Sequence, residues 1–116
     1  MNIHSRKAKG RRLQQKIRDI LLEKTHKFGL VEGDIQSNVM NNSGRDIVLS
    51  PVAEKVIPFD IECKNTERLN IWSAIEQAEK NTKQDRDPLV IISKNRTEIY
   101  AVIKLEKLLD LLYPES

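Results

Sequence analysis

The chain has 116 residues, 32% of them charged and only 4% aromatic, so one domain with a core of Leu, Ile and Val is expected. No apolar run approaches the roughly 20 residues of a helical membrane span. A single cysteine cannot form an internal disulfide, and the N-terminus is basic without an apolar signal core, so a cytoplasmic location is expected.

The net charge of +3 hides an asymmetry. Residues 1–27 carry nine Lys or Arg against two acids, a net +7, and the remainder carries eleven against fifteen, a net −4. A basic N-terminal segment on a mildly acidic body suggests contact with a polyanion, without saying which.

Residues 1–8 read as a flexible basic arm ahead of one domain over 9–116. From Lys9 the spacing of Leu13, Ile17, Ile20 and Leu21 predicts an amphipathic helix to about Lys27, stopped by Gly29. Arg11, Arg12, Lys16 and Arg18 fall largely off that stripe. With Arg6, Lys7 and Lys9 they are candidates for binding phosphates. Gly33-Asp34 then opens a strand over Ile35–Met40, and Asn41-Asn42-Ser43-Gly44 is a turn signal. A second strand covers Asp46–Leu49 and is broken by Ser50-Pro51. A third runs from Val56 to Lys64, with Pro58 near its start.

Leu69, Ile71, Trp72, Ile75 and Ala78 recur at helical spacing, which places Trp72 in the core. After a polar loop, Leu89-Val90-Ile91-Ile92 reads as a strand covered on both faces. Lys94-Asn95-Arg96 is a hairpin turn into Glu98–Ile103, and Leu105, Leu108, Leu109 and Leu112 mark a last helix. The order is α-β-β-β-α-β-β-α, an α/β fold with a mixed sheet flanked by helices.

Alternate strand residues share a face, so Glu62 and Lys64 project together and Cys63 points the other way. If the strand of Asp46 lies beside this one, two carboxylates and an ammonium converge. Mg²⁺ favours carboxylate and carbonyl oxygens plus retained waters, so Asp46, Glu62 and the backbone carbonyl of Cys63 are candidate ligands. Lys64 is then placed to hold a water or neutralise charge near a phosphate. An isolated Glu-x-Lys on a strand is more often a plain salt-bridged surface; the flanking Gly turn, apolar neighbours and following helix favour the metal-site reading. Cys63 reads as a core thiol, His4 and His26 as solvated, and Asp60 as an exposed strand residue, with a peripheral acid near the site as the alternative.

Asp46 followed sixteen residues later by Glu62-Cys63-Lys64 resembles the PD-(D/E)xK nuclease pattern. The stretch from Ser43-Gly44-Arg45-Asp46 through Asn65, Leu69-Asn70-Ile71-Trp72 and Glu76-Gln77-Ala78 looks like small phage-type members, similar in turn to archaeal Holliday junction resolvases. The resemblance covers roughly residues 5–112. It implies a restriction-endonuclease-like core, Asp46 and Glu62 as metal ligands, Lys64 as the catalytic lysine, and Gln77 as a helix-borne amide orienting water or phosphate. Where many members place a glutamate on the first helix this chain has Gln14 or Gln15, so Gln14 is at most a candidate for holding a metal-bound water. Arg45 stands where some relatives carry an acid, which puts a second metal site in doubt.

The resemblance also implies Mg²⁺, with Mn²⁺ as a substitute, and a DNA substrate of branched form. Symmetric cutting of two strands then calls for a homodimer, for which the exposed part of the Ile99/Ala101/Ile103 strand and the Leu-rich last helix are candidate contacts that the sequence does not decide between. If the chain is phage-encoded, its place is the host cytoplasm. The alternatives are a nicking or restriction-like nuclease on linear or single-stranded DNA, and a non-catalytic nucleic-acid-binding module.

Overall fold

Phe59-Asp60-Ile61-Glu62-Cys63 alternates apolar and acidic residues, yet all five are buried. The computed structural model describes residues 3–38 and 45–115, with side chains from residue 7 onward, and it explains that burial. Strand β3 (Phe59–Asn65) pairs in parallel with β4 (Asp87–Ser93), which pairs antiparallel with β5 (Tyr100–Val102). A second, two-stranded antiparallel sheet is formed by β1 (Ile35–Ser37) and β2 (Ile47–Leu49). The result is an α/β domain whose mixed sheet is flanked by helices.

Each face of the main sheet has its own covering. Phe59, Ile61, Cys63 and Ile91 join Leu13 and Ile17 of α1 (Ile3–Thr25) and Ile35, Ile47 and Leu49 of the small sheet in the larger core. On the other face, Val90 packs against Ala74 and Ala78 of α3 (Ile71–Asn81). Two alanines present little bulk, so α3 lies close over β3 and β4. That closeness brings its polar side chains within reach of the even-numbered residues of β3.

The helices follow their capping signals. Gly29 ends the first helical segment in the left-handed region at φ 85°, where a side chain would be strained, and its N–H donates to the His26 carbonyl at 2.9 Å. Asn70 caps α3 by accepting from the Ser73 N–H at 3.1 Å.

Several expectations need correction. Helix α1 begins at Ile3, so most of the segment read as an arm is helical. Ser50-Pro51 ends β2 at Leu49 as expected, but it also starts an element that was not foreseen: Ser50 accepts from the Ala53 N–H at 3.1 Å and Pro51 opens a six-residue helix, α2 (Pro51–Val56). The third strand accordingly starts at Phe59 rather than Val56. Strand β1 ends at Ser37, and the turn expected at 41–44 lies outside the described residues. Trp72 is 77% exposed, because the face of α3 that meets the sheet is the Ala74/Ala78 face. The last helix, α4 (Leu105–Leu112), has the expected bounds, but all its leucines are exposed. No helix among the described residues is long and apolar enough to cross a membrane.

Candidate metal centre

Asp46 immediately precedes β2 and docks on the free edge of β3. Its backbone N–H donates to the Ile61 carbonyl at 3.1 Å, and its Oδ2 accepts from the Cys63 N–H at 2.7 Å. In a strand the N–H and C=O of one residue project to the same edge, so the Cys63 carbonyl lies on the edge where Asp46 sits. The Cys63 side chain points into the core, and burial, then the neighbouring Asp46 and Glu62 carboxylates, raise its thiol pKa. It is a packing residue and a poor nucleophile.

Glu62 is 3% exposed and faces Asp46. Burial pushes its pKa up from 4.5 to about 7, the Asp46 carboxylate adds to the rise, and a 2.8 Å hydrogen bond from Asn81 Nδ2 opposes it. Lys64 only partly offsets the crowded negative charge. Its Nζ donates instead to Gln77 Oε1 at 2.8 Å. Asp46, Glu62, Lys64 and Gln77 are therefore brought together as the sequence pattern suggested. Asn81 was missed. It stands one helical turn beyond Gln77 on the same face of α3, a spacing that could have drawn attention to it.

Two residues earlier on the same face, Asp60 has different company. It is 2% exposed and receives Arg45 Nη1 at 3.1 Å, Arg86 Nε at 2.7 Å and the Lys83 N–H at 2.8 Å. Burial alone would raise its pKa; those three donors outweigh burial and hold it below the ordinary value. Glu54 of α2 joins the cluster through Arg45, Lys83 and Arg86. Asp60 is thus neither an exposed strand residue nor an open acid near the site. Arg45, read as standing in for a second acid, serves this ion-pair cluster.

The basic segment divides in the same way. Lys7, Arg11, Arg12 and Lys16 are exposed on α1. Lys9 is 7% exposed and pairs with Glu67 at 3.7 Å, so it is not available to a phosphate. Arg18 is occupied by Glu32, Asp19 and the Ile35 carbonyl. The side chain of Arg6 lies outside those described. Gln14 makes no hydrogen bond to Asp46, Glu62 or Lys64, and its Oε1 is buried without a donor.

Among the described residues no cluster of three or more His, Cys, Asp or Glu side chains is arranged to hold a metal ion. The Asp46–Glu62 pair offers two carboxylates, with a carbonyl on the same edge. That donor set suits Mg²⁺, which is usually held by one or two carboxylates and keeps several waters. No protein-family model, curated protein or solved structure matches the chain.

Proposed function

We propose that this chain is a Mg²⁺-dependent DNA endonuclease that hydrolyses phosphodiester bonds, directed to branched DNA as a Holliday junction resolvase. The observation that carries the reading is a buried Glu62 facing a half-buried Asp46, a pair that no arginine among the described residues neutralises, with Lys64 held beside it by Gln77. A buried carboxylate facing a second carboxylate is costly in a folded protein, and a divalent cation offsets that cost.

Asp46, Glu62 and the Cys63 carbonyl would hold the ion. When bound, Mg²⁺ would lower the pKa of a water and stabilise charge on the phosphate. The residues of the chain then have separable tasks. Asp46 fixes its own position through two contacts to β3 and presents its carboxylate beside Glu62. Lys64 brings a positive charge to the site, where it would pair with a phosphate oxygen or hold the attacking water. Gln77 restricts Lys64 to that position. Exposed Lys7, Arg11, Arg12 and Lys16 would bind backbone phosphates along α1, so affinity would depend on salt and little on base sequence. A homodimer would supply two sites related by a two-fold axis, as symmetric cutting of two strands requires. The exposed Tyr100 and Ala101 of β5 and the leucines of α4 offer the apolar surface for it.

The test uses the full chain with end-labelled four-way junction, linear duplex and single-stranded DNA, with Mg²⁺, with Mn²⁺ or with chelator. Metal-dependent cutting concentrated on the junction is the expected result. Equal cutting of all three would replace the resolvase by a nicking or restriction-like nuclease. Binding without cutting in either metal would leave only a nucleic-acid-binding module.

A further inference from the structure

Three successive same-face residues of β3 each meet one group on the C-terminal part of α3 or just beyond it. Lys64 Nζ donates to Gln77 Oε1, Asn81 Nδ2 donates to Glu62 Oε1, and the Lys83 N–H donates to Asp60 Oδ2, each at 2.8 Å. The matching is geometric. Two residues along a strand advance about 6.6 Å, and four residues along a helix advance about 6 Å. Gln77 and Asn81, four apart, therefore fall opposite Lys64 and Glu62, two apart.

Among the described residues, the Asn81 amide donates to the Glu62 carboxylate, whose other close hydrogen-bonding neighbour is the Asp46 carboxyl. Only its amide nitrogen can do this, since a carboxylate oxygen accepts and does not donate when ionised. Asn81 is not used to finish the helix. That task falls to Thr82, whose N–H bonds the Glu79 carbonyl and whose hydroxyl donates to the Ala78 carbonyl at 2.6 Å. The chemistry of the donor matters too. An arginine or lysine at this place would neutralise Glu62, as Arg45 and Arg86 do for Asp60. A neutral amide fixes one oxygen and leaves the charge uncancelled.

We infer that Asn81 is a positioning residue for the metal ligand Glu62: it fixes one carboxylate oxygen and leaves the group charged for a divalent cation. This rests on the metal-site reading above. Groups that orient ligands in this way usually carry a ten- to hundredfold share of metal affinity.

The experiment is a calorimetric titration of Mg²⁺ into the full metal-free chain, wild type beside Asn81→Ala and Asn81→Leu. Melting curves first establish that each variant is folded; Leu keeps the shape of Asn without its donor. Both variants should bind Mg²⁺ ten- to hundredfold more weakly, while Thr82→Val, which removes a hydrogen bond at the same end of α3 and does not touch Glu62, should stay near the wild-type affinity. Wild-type affinity in either folded Asn81 variant overturns the inference. An equal loss in Thr82→Val also overturns it, because the effect would then belong to the end of α3 in general. Absence of saturable Mg²⁺ binding by the wild type is a different result: it removes the metal site itself, and the inference with it.

Discussion

Asp60 and Glu62 stand two residues apart on one face of one strand, and both are almost completely buried. Asp60 is met by two guanidinium groups and a backbone N–H, and its pKa falls. Glu62 is met by one neutral amide and a second carboxylate, and its pKa rises to about 7. Burial is shared, so burial does not separate them; compensation does. A carboxylate whose charge is matched within the fold ties segments together, here α2, β3 and the residues around Arg45 and Arg86. A carboxylate whose charge is left unmatched costs stability, and that cost makes sense where a cation from outside completes the site.

The largest expected effect is on cleavage. Asp46→Asn and Glu62→Gln should each lower the Mg²⁺-dependent cutting rate by about 10³-fold or more, the several kcal/mol of charge stabilisation a metal supplies at 1.36 kcal/mol per decade. Gel assays on a labelled four-way junction measure this. An Asp60→Asn protein that stays folded should retain cutting; if it is as dead as Glu62→Gln, the contrast between the two acids breaks.

Stability should respond in the opposite sense. Asp60→Asn removes the buried charge that Arg45 and Arg86 share and leaves them only Glu54, a loss of at most about 3–5 kcal/mol in urea unfolding. Glu62→Gln removes a repelling charge, so the metal-free variant should be at least as stable as wild type above neutral pH. Equal destabilisation by both substitutions would mean that the two acids are both structural.

The pH dependence sharpens the same point. The Glu62 pKa is raised on folding, so its favourable contribution is full below about 4.5 and is lost as pH rises through about 7. The metal-free chain should therefore lose on the order of 3 kcal/mol from this group across that interval, and Glu62→Gln should abolish the slope. Asp60, with a lowered pKa, acts the other way: its contribution is present above 3.8 and is lost on acidification. Melting temperatures of wild type, Glu62→Gln and Asp60→Asn from acid to mildly alkaline pH measure both slopes. A flat wild-type profile across 4.5 to 7 would contradict the placement of Glu62.

The smallest effect concerns the cations of α1. Neutralising Arg11, Arg12 and Lys16 together should reduce the slope of log affinity against log salt by about 2.7, at 0.9 per phosphate contact. Lys9→Ala should leave the slope unchanged, because Lys9 is already paired with Glu67. Fluorescence anisotropy with junction DNA in chelator at several salt concentrations reads both.

Periodicity made the long elements legible. The stripe of α1, the both-face burial of β4 and the leucine spacing of α4 all reflect side-chain spacing that survives without tertiary information. Alternation along β3 likewise separated Cys63 from Glu62 correctly. Short elements and charge partners were not legible in that way. Six residues of α2 carry too little periodicity to outweigh a proline read as a breaker, although Ser50-Pro51 is also a helix-start signal. Trp72 fitted the helical spacing of α3 and still lies outside the core, because spacing marks a face and cannot say how wide the contact is. Asp60 looked exposed because its partners Arg45 and Arg86 lie fifteen residues before it and twenty-six after it in the chain. Asn81 was hidden for the same reason: its meaning comes from the strand opposite.

A nuclease built on the Asp46–Glu62 pair must take up a divalent cation there. The most direct measurement is calorimetric titration of Mg²⁺ into the metal-free full chain at pH 7, in two buffers of different ionisation enthalpy. One saturable Mg²⁺ per chain is expected, accompanied by release of part of a proton from Glu62 and abolished in Glu62→Gln. No saturable binding by the wild type, or binding of wild-type strength in Glu62→Gln, would contradict it.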